Sequence, residues 1–234
     1  MCTSFVFRKE TLIIGMNFDN NGMKFAVKTG PGSFIVFVDS GRGFYPSFGV
    51  TSGSLFFNNL MMDPNGLGQY KRPSRTRTHT SKFISDIIDG RIQSQEIDGY
   101  IHSMEFTNVP DFSLHSLLCN EKGDIHVIEP GHGILNSPRS VSPYFVMTNF
   151  SLLDYQASGV PSGTGADRYI TANKMLKDHP SLTVDDAFSI LESVKQDGPE
   201  WTTAFSMVFS QKENCIYYGY GCNFVKWEVY SLNF

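Results

Sequence analysis

The chain has 234 residues, 41% of them hydrophobic and 18% charged, which excludes a mainly disordered protein and suits one sizeable domain over residues 1–234. Its formal charge of −4 speaks against nucleic-acid binding, and no run approaches the roughly 18 apolar residues of a membrane span. A chain this long buries roughly 70% of its surface on folding, so no disulfide staple is required.

The opening residues lack a basic segment followed by an apolar run, so no signal peptide is read and a cytoplasmic location is expected. The four cysteines, Cys2, Cys119, Cys215 and Cys222, show no CxxC pair and are expected to be reduced thiols. An aromatic content of 14%, with twenty phenylalanines, suits a sheet-rich core.

In chain order, residues 3–8 and 11–16 are apolar runs separated by Lys9-Glu10 and read as a hairpin that begins at Cys2. Asn20-Asn21-Gly22 is a turn signal, and 23–28, 34–38, 44–50 and 55–62 read as further strands of one antiparallel meander. The basic stretch 71–77 reads as a solvated connection, with an anion-attracting rim as the other reading. Thr80 is expected to cap a helix that places Phe83, Ile84, Ile87 and Ile88 on one face, and a weaker helix is expected over 95–104. Residues 113–119 and 124–129 form a hairpin that 133–135 extends, and 144–148 is a short strand ending at Asn149. The loop 159–163 leads into a helix over 164–177. Thr183 and Asp186 mark the capping box of another helix, whose Val184, Ala187, Phe188, Leu191 and Val194 form a core stripe. Residues 201–210, 215–220 and 224–230 close the chain as strands. Strands and helices come in groups rather than as alternating βα units, which indicates an α+β fold of packed layers.

Several motifs fail on spacing. Gly49-Val50-Thr51-Ser52-Gly53 has its serine one place late for a nucleophile elbow. Gly163-Thr164-Gly165 precedes a helix, but Arg168 stands where a dinucleotide fingerprint needs its third glycine. His115, His126 and His132 lack the companions of a metal site, so no metal or other cofactor is expected. A distant Cys–His pair stays open on counting alone, although no local cysteine-protease signature is present. Cys2 remains. Its small side chain favours removal of Met1, which would leave a thiol and a free α-amine on one residue, a nucleophile with its base built in.

Five segments in order then resemble the choloylglycine hydrolase and penicillin V acylase family. They are Met1-Cys2-Thr3-Ser4 with Gly15-Met16-Asn17-Phe18-Asp19; Ser113-Leu114-His115 with Val127-Ile128-Glu129; Val146-Met147-Thr148-Asn149; Gly159-Val160-Pro161 with Asp167-Arg168-Tyr169; and Thr202-Thr203. The resemblance spans nearly the whole chain. It implies an N-terminal nucleophile hydrolase: a four-layer αββα sandwich with two antiparallel sheets between helical layers, cleaving linear amide C–N bonds through a thioester on Cys2. It also implies roles for the matched residues. Asp19 would orient the amine and thiol, and Arg168 would depress the thiol pKa. Asn149 would donate an N–H to the tetrahedral oxyanion, a bond worth roughly 2.7–4 kcal/mol in the transition state.

The chain also departs from that pattern. Met16 stands where the family carries an arginine, so one active-site cation is missing. The second oxyanion residue falls near Asn58-Asn59-Leu60-Met61, with Asn59 taken for it and Asn58 and Met61 as alternatives. The chain lacks the long insertion that bile-salt hydrolases carry before the match to Arg168, so their tetramer is not implied; a homo-oligomer stays open. The expected partner is a small N-acyl compound. Acyl transfer through the same thioester, a non-catalytic acyl-binding relative and a generic α+β binding domain are the alternatives. Intact mass checks the first requirement: the purified chain is expected to lack one methionine residue, and a retained Met1 would remove the α-amine from the chemistry.

Overall fold

The computed structural model describes residues 1–233. Its first two strands, β1 (Cys2–Phe7) and β2 (Ile13–Asn20), pair antiparallel from Cys2↔Phe18 to Phe7↔Ile13. All six residues of β1 and the first seven of β2 are buried, so both faces of the hairpin are covered. That explains why their sequences read as continuous apolar runs rather than as an alternation. Cys2, Val6, Ile14, Met16 and Phe18 face the inner core, whereas Phe5, Phe7 and Ile13 face outward into a second apolar cluster. Gly15, opposite Phe5, has no side chain because a Cβ there would lie 2.4 Å from the Phe5 ring.

The following elements are β3 (Phe25–Gly30), β4 (Ser33–Asp39), β5 (Phe44–Thr51) and β6 (Leu55–Met61), then β7 (Arg77–His79), α1 (Thr80–Ile88), α2 (Ile97–Ser103) and β8 (Glu105–Thr107). After them come β9 (Leu114–Cys119), β10 (Ile125–Glu129), β11 (Gly133–Ser137) and β12 (Tyr144–Met147). The last third holds α3 (Leu152–Ser158), α4 (Ala166–Lys177), α5 (Val184–Ser193), β13 (Thr202–Ser210), β14 (Cys215–Tyr220) and β15 (Glu228–Ser231). One sheet runs β12-β1-β2-β13-β14-β15 and the other β11-β10-β9-β6-β5-β4-β3, antiparallel throughout.

The two sheets pack face to face over a core that includes Phe18 and Phe205 from the first and Phe34, Phe48 and Phe56 from the second. Phe48 and Phe205 lie 6.0 Å apart between ring centroids, across the inter-sheet space. On the outer face of the first sheet, Ala172, Leu176, Ala187, Phe188 and Leu191 of α4 and α5 cover Phe5, Phe7 and Val208. On the outer face of the second, Phe83 and Ile84 of α1 and Ile97 and Ile101 of α2 cover Phe57 and Leu118. The result is the expected αββα sandwich.

Three local expectations change. The first six strands are not one meander: β1 and β2 belong to one sheet and β3–β6 to the other. Asn20 turns the chain between them, accepting from Met23 N at 2.9 Å and donating to Met23 O at 2.7 Å. Apolar patterning marks a strand but not its sheet. The cap of α1 is His79, whose ring accepts from Lys82 N, while the Thr80 hydroxyl is buried without a partner. Three short elements, the parallel-paired strands β7 and β8 and the helix α3, add to the expected ones. The Thr183–Asp186 capping box forms as read. The basic stretch is a solvated connection, with Lys71 and Arg77 paired to Glu105.

Gly49 ties β5 to β4: a Cβ there would lie 2.2 Å from Phe34 O and 2.8 Å from Ile35 Cα. Gly49→Ala is therefore expected to push the two strands apart and destabilise the fold by roughly 3 kcal/mol. The check is a lower urea midpoint at unchanged m-value.

Candidate active site

β1 lies between β12 and β2, and that order builds the site. The register Ser4↔Met147 brings the residues after β12 alongside the chain start, so Asn149 comes to lie beside Cys2. The Cys2 backbone N–H donates to Asn149 Oδ1 at 2.9 Å. Pairing of β2 with β13 sets Asp19 opposite Thr203, where the Thr203 hydroxyl donates to Asp19 Oδ1 at 2.6 Å and Gln196 Nε2 donates to Asp19 Oδ2 at 2.9 Å. α4 packs across β1 and β12 and delivers Arg168 from its first turn.

The Arg168 guanidinium joins these pieces. Nη1 donates to Cys2 O at 2.7 Å and Thr3 Oγ1 at 2.6 Å, and lies 3.4 Å from Asp19 Oδ2. Nη2 donates to Asn149 Oδ1 at 2.8 Å. Gly165, at φ +81°, makes room for it: a Cβ would sit 2.6 Å from Nη2. Gly165 thus serves close approach of a guanidinium rather than of a dinucleotide, whereas a Cβ at Gly163 would lie 2.7 Å from Asp63 Oδ2. The structure brings Cys2, Asp19, Asn149 and Arg168 into one hydrogen-bonded group, all at most 7% exposed.

Asn59 is placed differently. It faces the same cavity, but its Nδ2 donates to Pro46 O at 3.0 Å and its Oδ1 accepts from Ser116 Oγ at 2.5 Å. Asn58 points away and donates to Ser4 Oγ at 2.7 Å. Met61 is the member of this segment that touches the group, its carbonyl accepting from Asn149 Nδ2 at 2.6 Å. Thr3, Gln196 and Thr203 were given no role from sequence. Thr203 stood inside a matched segment, whereas Gln196 carried no signal and is found only through the fold. Met16 is fully buried in the inner core, opposite Ser4 and Met207, and brings no charge to the site.

A cavity of about 370 Å³ opens beside Cys2 and Asp19. Its wall is largely apolar, with Val38, Pro46, Phe112, Leu114 and Trp201, and Arg42 pairs with Asp111 at 2.8 Å on its exposed rim. The volume lies within the roughly 300–1,000 Å³ typical of small-molecule sites. Among the described residues no cluster of three histidine, cysteine or acidic side chains could hold a metal ion, and no helix is long and apolar enough to cross a membrane.

Burial dominates the electrostatics. It pushes the Cys2 thiol above its ordinary value, and the nearby amino terminus and Arg168 offset this only in part. Arg168 acts on the thiol in the expected direction, lowering its pKa, but burial outweighs that charge, and the guanidinium donors are engaged by oxygen atoms. Burial likewise raises the Asp19 carboxyl, against hydrogen bonds from Thr203 and Gln196. With Met1 in place, its amino group donates to Asp19 O at 3.0 Å, and burial lowers its pKa. The raised thiol pKa means that the folded chain holds this proton more tightly than the unfolded chain. The resulting contribution to stability is complete below pH 9 and is lost as pH rises through the folded value. In a chain that keeps Met1, iodoacetamide is therefore expected to modify Cys2 much more slowly than in the urea-unfolded chain at pH 8. Peptide mass mapping should show this protection persisting until the pH exceeds 9.

No family model matches the chain, and a comparison with curated proteins found no match. Solved structures do match. A mutant conjugated bile acid hydrolase from Clostridium perfringens is similar over 100% of this chain and 93% of its own, with a TM-score of 0.73 and 14% identity. Penicillin V acylase from Agrobacterium tumefaciens is similar over 97% of this chain and 84% of its own, with a TM-score of 0.68 and 16% identity. The Caenorhabditis elegans ortholog of N-acylethanolamine-hydrolyzing acid amidase is similar over 89% of this chain and 92% of its own, with a TM-score of 0.60 and 16% identity. Likeness at these identities speaks to the fold: the chain has the αββα architecture of N-terminal nucleophile hydrolases, in the form shared by bile acid hydrolase and penicillin V acylase.

Proposed function

We propose that the protein is an amidohydrolase that cleaves the C–N bond of a small N-acyl compound through a thioester on Cys2. The observation that carries this reading is the placement of Cys2: its backbone nitrogen is held by Asn149 Oδ1 while the residue lines the cavity. Removal of Met1 would turn that nitrogen into the free α-amine without moving it, leaving it within reach of the same oxygen and of the thiol on the same residue.

Because burial disfavours a standing thiolate, the thiol proton passes to the α-amine as Sγ attacks the substrate carbonyl carbon. The carbonyl π electrons move to oxygen, and Asn149 stabilises that oxyanion with the N–H not engaged by Met61 O. The intermediate then collapses: the C–N bond breaks, the leaving amine takes the proton from the α-ammonium, and a thioester remains. Water, deprotonated by the amine, attacks the thioester in the second half and restores the thiol. Arg168 and Asp19 act by holding Cys2 O, Thr3 and Asn149 in place, Arg168 directly and Asp19 through its contacts with Arg168, Thr203 and Gln196. Asn59 faces the cavity and is the side chain of the 58–59 pair available to a substrate. Attack by an amine in place of water would give acyl transfer from the same thioester.

Met16 supports a second reading, a non-catalytic acyl-binding protein, since the arginine of the resembled family is replaced here by a buried apolar side chain. One assay separates the two. The processed chain is incubated with penicillin V, a conjugated bile acid and an N-acylethanolamine, and the released amine is measured. Hydrolysis of at least one is expected, with loss of activity in Cys2→Ser and a roughly 10²- to 10³-fold lower kcat in Asn149→Ala. A Cys2→Ser variant as fast as wild type would end the thioester proposal.

A further inference from the structure

Asn149 stands just past the end of its own sheet. The ladder between β12 and β1 stops at Ser4↔Met147, so residues 148–151 have no strand partner in the first sheet. They are held instead from the second. His115 on β9 reaches across with Nε2 2.7 Å from Thr148 O, and since a carbonyl only accepts, Nε2 carries the proton and donates. Its Nδ1 faces Glu129 Oε1 at 3.4 Å. Glu129, the last residue of β10, accepts from Ser151 Oγ at 2.6 Å and from Leu152 N at 2.7 Å. Asn149 is thus bracketed one residue before by His115 and two to three residues after by Glu129. A third tie is the bond from Asp63 N to Asn149 O at 2.9 Å.

Both groups are expensive to bury: His115 is 0% and Glu129 1% exposed. Burial alone would raise the Glu129 carboxyl, but the adjacent His115 ring and the hydrogen bonds from Ser151 and Leu152 outweigh it and hold the group below its ordinary value. An ionised carboxylate is therefore kept inside the protein, with its acceptors turned onto the segment that carries Asn149. An apolar pair would fill the same volume without that penalty, but Thr148 O would lose its donor, and Ser151 Oγ and Leu152 N would lose their acceptor.

We propose that His115 and Glu129 are positioning residues that fix the Asn149 side chain against Cys2 from the opposite sheet. The proposal rests on the hydrolase reading of Cys2 and Asn149. It adds a dyad that touches neither Cys2 nor the cavity wall and that sets the oxyanion donor through the backbone of residues 148–152.

The test combines kinetics with structure, using whichever of the three amides named above the processed wild type cleaves fastest. His115→Ala is expected to lower kcat about 10- to 100-fold with KM changed less than about twofold, because a misplaced donor is felt in the transition state. His115→Gln, whose amide can again donate toward Thr148 O, is expected to recover to within about fivefold of wild type. The His115→Ala/Asn149→Ala double variant is expected to be no slower than Asn149→Ala, since the first change acts only through the second residue. In the crystal structure of His115→Ala, Asn149 Oδ1 is expected to lie beyond hydrogen-bonding distance of Cys2 N.

A folded His115→Ala enzyme with wild-type kcat, multiplicative losses in the double variant, or an unmoved Asn149 would each overturn the proposal. Should His115→Ala fail to fold, Ser151→Ala removes one bond to Glu129 without leaving a lone buried charge. It also removes the N-cap of α3, where Ser151 Oγ accepts from Asp154 N at 3.1 Å, so a modest fall in Tm is expected beside a roughly threefold lower kcat, and wild-type kcat in that variant would count as refutation. If wild type cleaves none of the three amides, the hydrolase reading fails, while the position of Asn149 in the His115→Ala or Ser151→Ala crystal structure still decides the positioning.

Discussion

The buried Arg168 guanidinium is the interaction on which the rest of the site depends. It binds the carbonyl of Cys2, the hydroxyl of Thr3, the carboxylate of Asp19 and the amide oxygen of Asn149, contacts that come from β1, β2 and the end of β12. A charge taken out of water so completely is tolerated only when nearly all its donors are engaged, and removal of one partner of such a group costs about 3–5 kcal/mol. Arg168 thereby ties the segment after β12, which lies beyond the ladder that ends at Ser4↔Met147, to the paired ends of β1 and β2. Its charge does comparatively little to the thiol, because burial of Cys2 outweighs it.

That arrangement requires the frame around it. A nucleophile at the very start of a chain would fray unless its strand were central, and β1 lies second from one edge, paired on both sides and covered on both faces. Helices α4 and α5 on one side and the second sheet on the other remove water from the hairpin. Strand alternation then divides the labour. Cys2 faces the inner core and the cavity, while Thr3 and Asp19 face the helical layer from which Arg168 reaches. The side chains that would react with substrate and those that would orient them therefore lie on opposite faces of the same two strands.

The fold was legible in large part. Grouped strands and helices, the Thr183–Asp186 capping box and the continuous apolar runs of the first hairpin follow from local chemistry, which the tertiary structure leaves intact. The failures share one cause. Whether β3 continues the sheet of β2 depends on what lies about 10 Å away across the core, and that is not encoded in the period of either strand. The cap of α1 moved by one residue because the His79 ring, and not the Thr80 hydroxyl, reaches Lys82 N once β7 has paired with β8.

By itself the sequence determined the type of most long elements and the candidacy of Cys2, because residue type, spacing and order are one-dimensional properties, and its resemblance to the choloylglycine hydrolase family marked the segments in which Asp19, Asn149 and Arg168 stand. Only the tertiary structure decided how those residues act on one another. It spread the Arg168 donors over four oxygen atoms, raised the Cys2 thiol by burying it and turned Asn58 toward Ser4 while Asn59 stayed at the cavity. It also recruited Gln196 and Thr203 to Asp19, and His115 and Glu129 to the segment around Asn149. Desolvation, hydrogen-bond direction and contact between strands of different sheets exist only once the layers have closed.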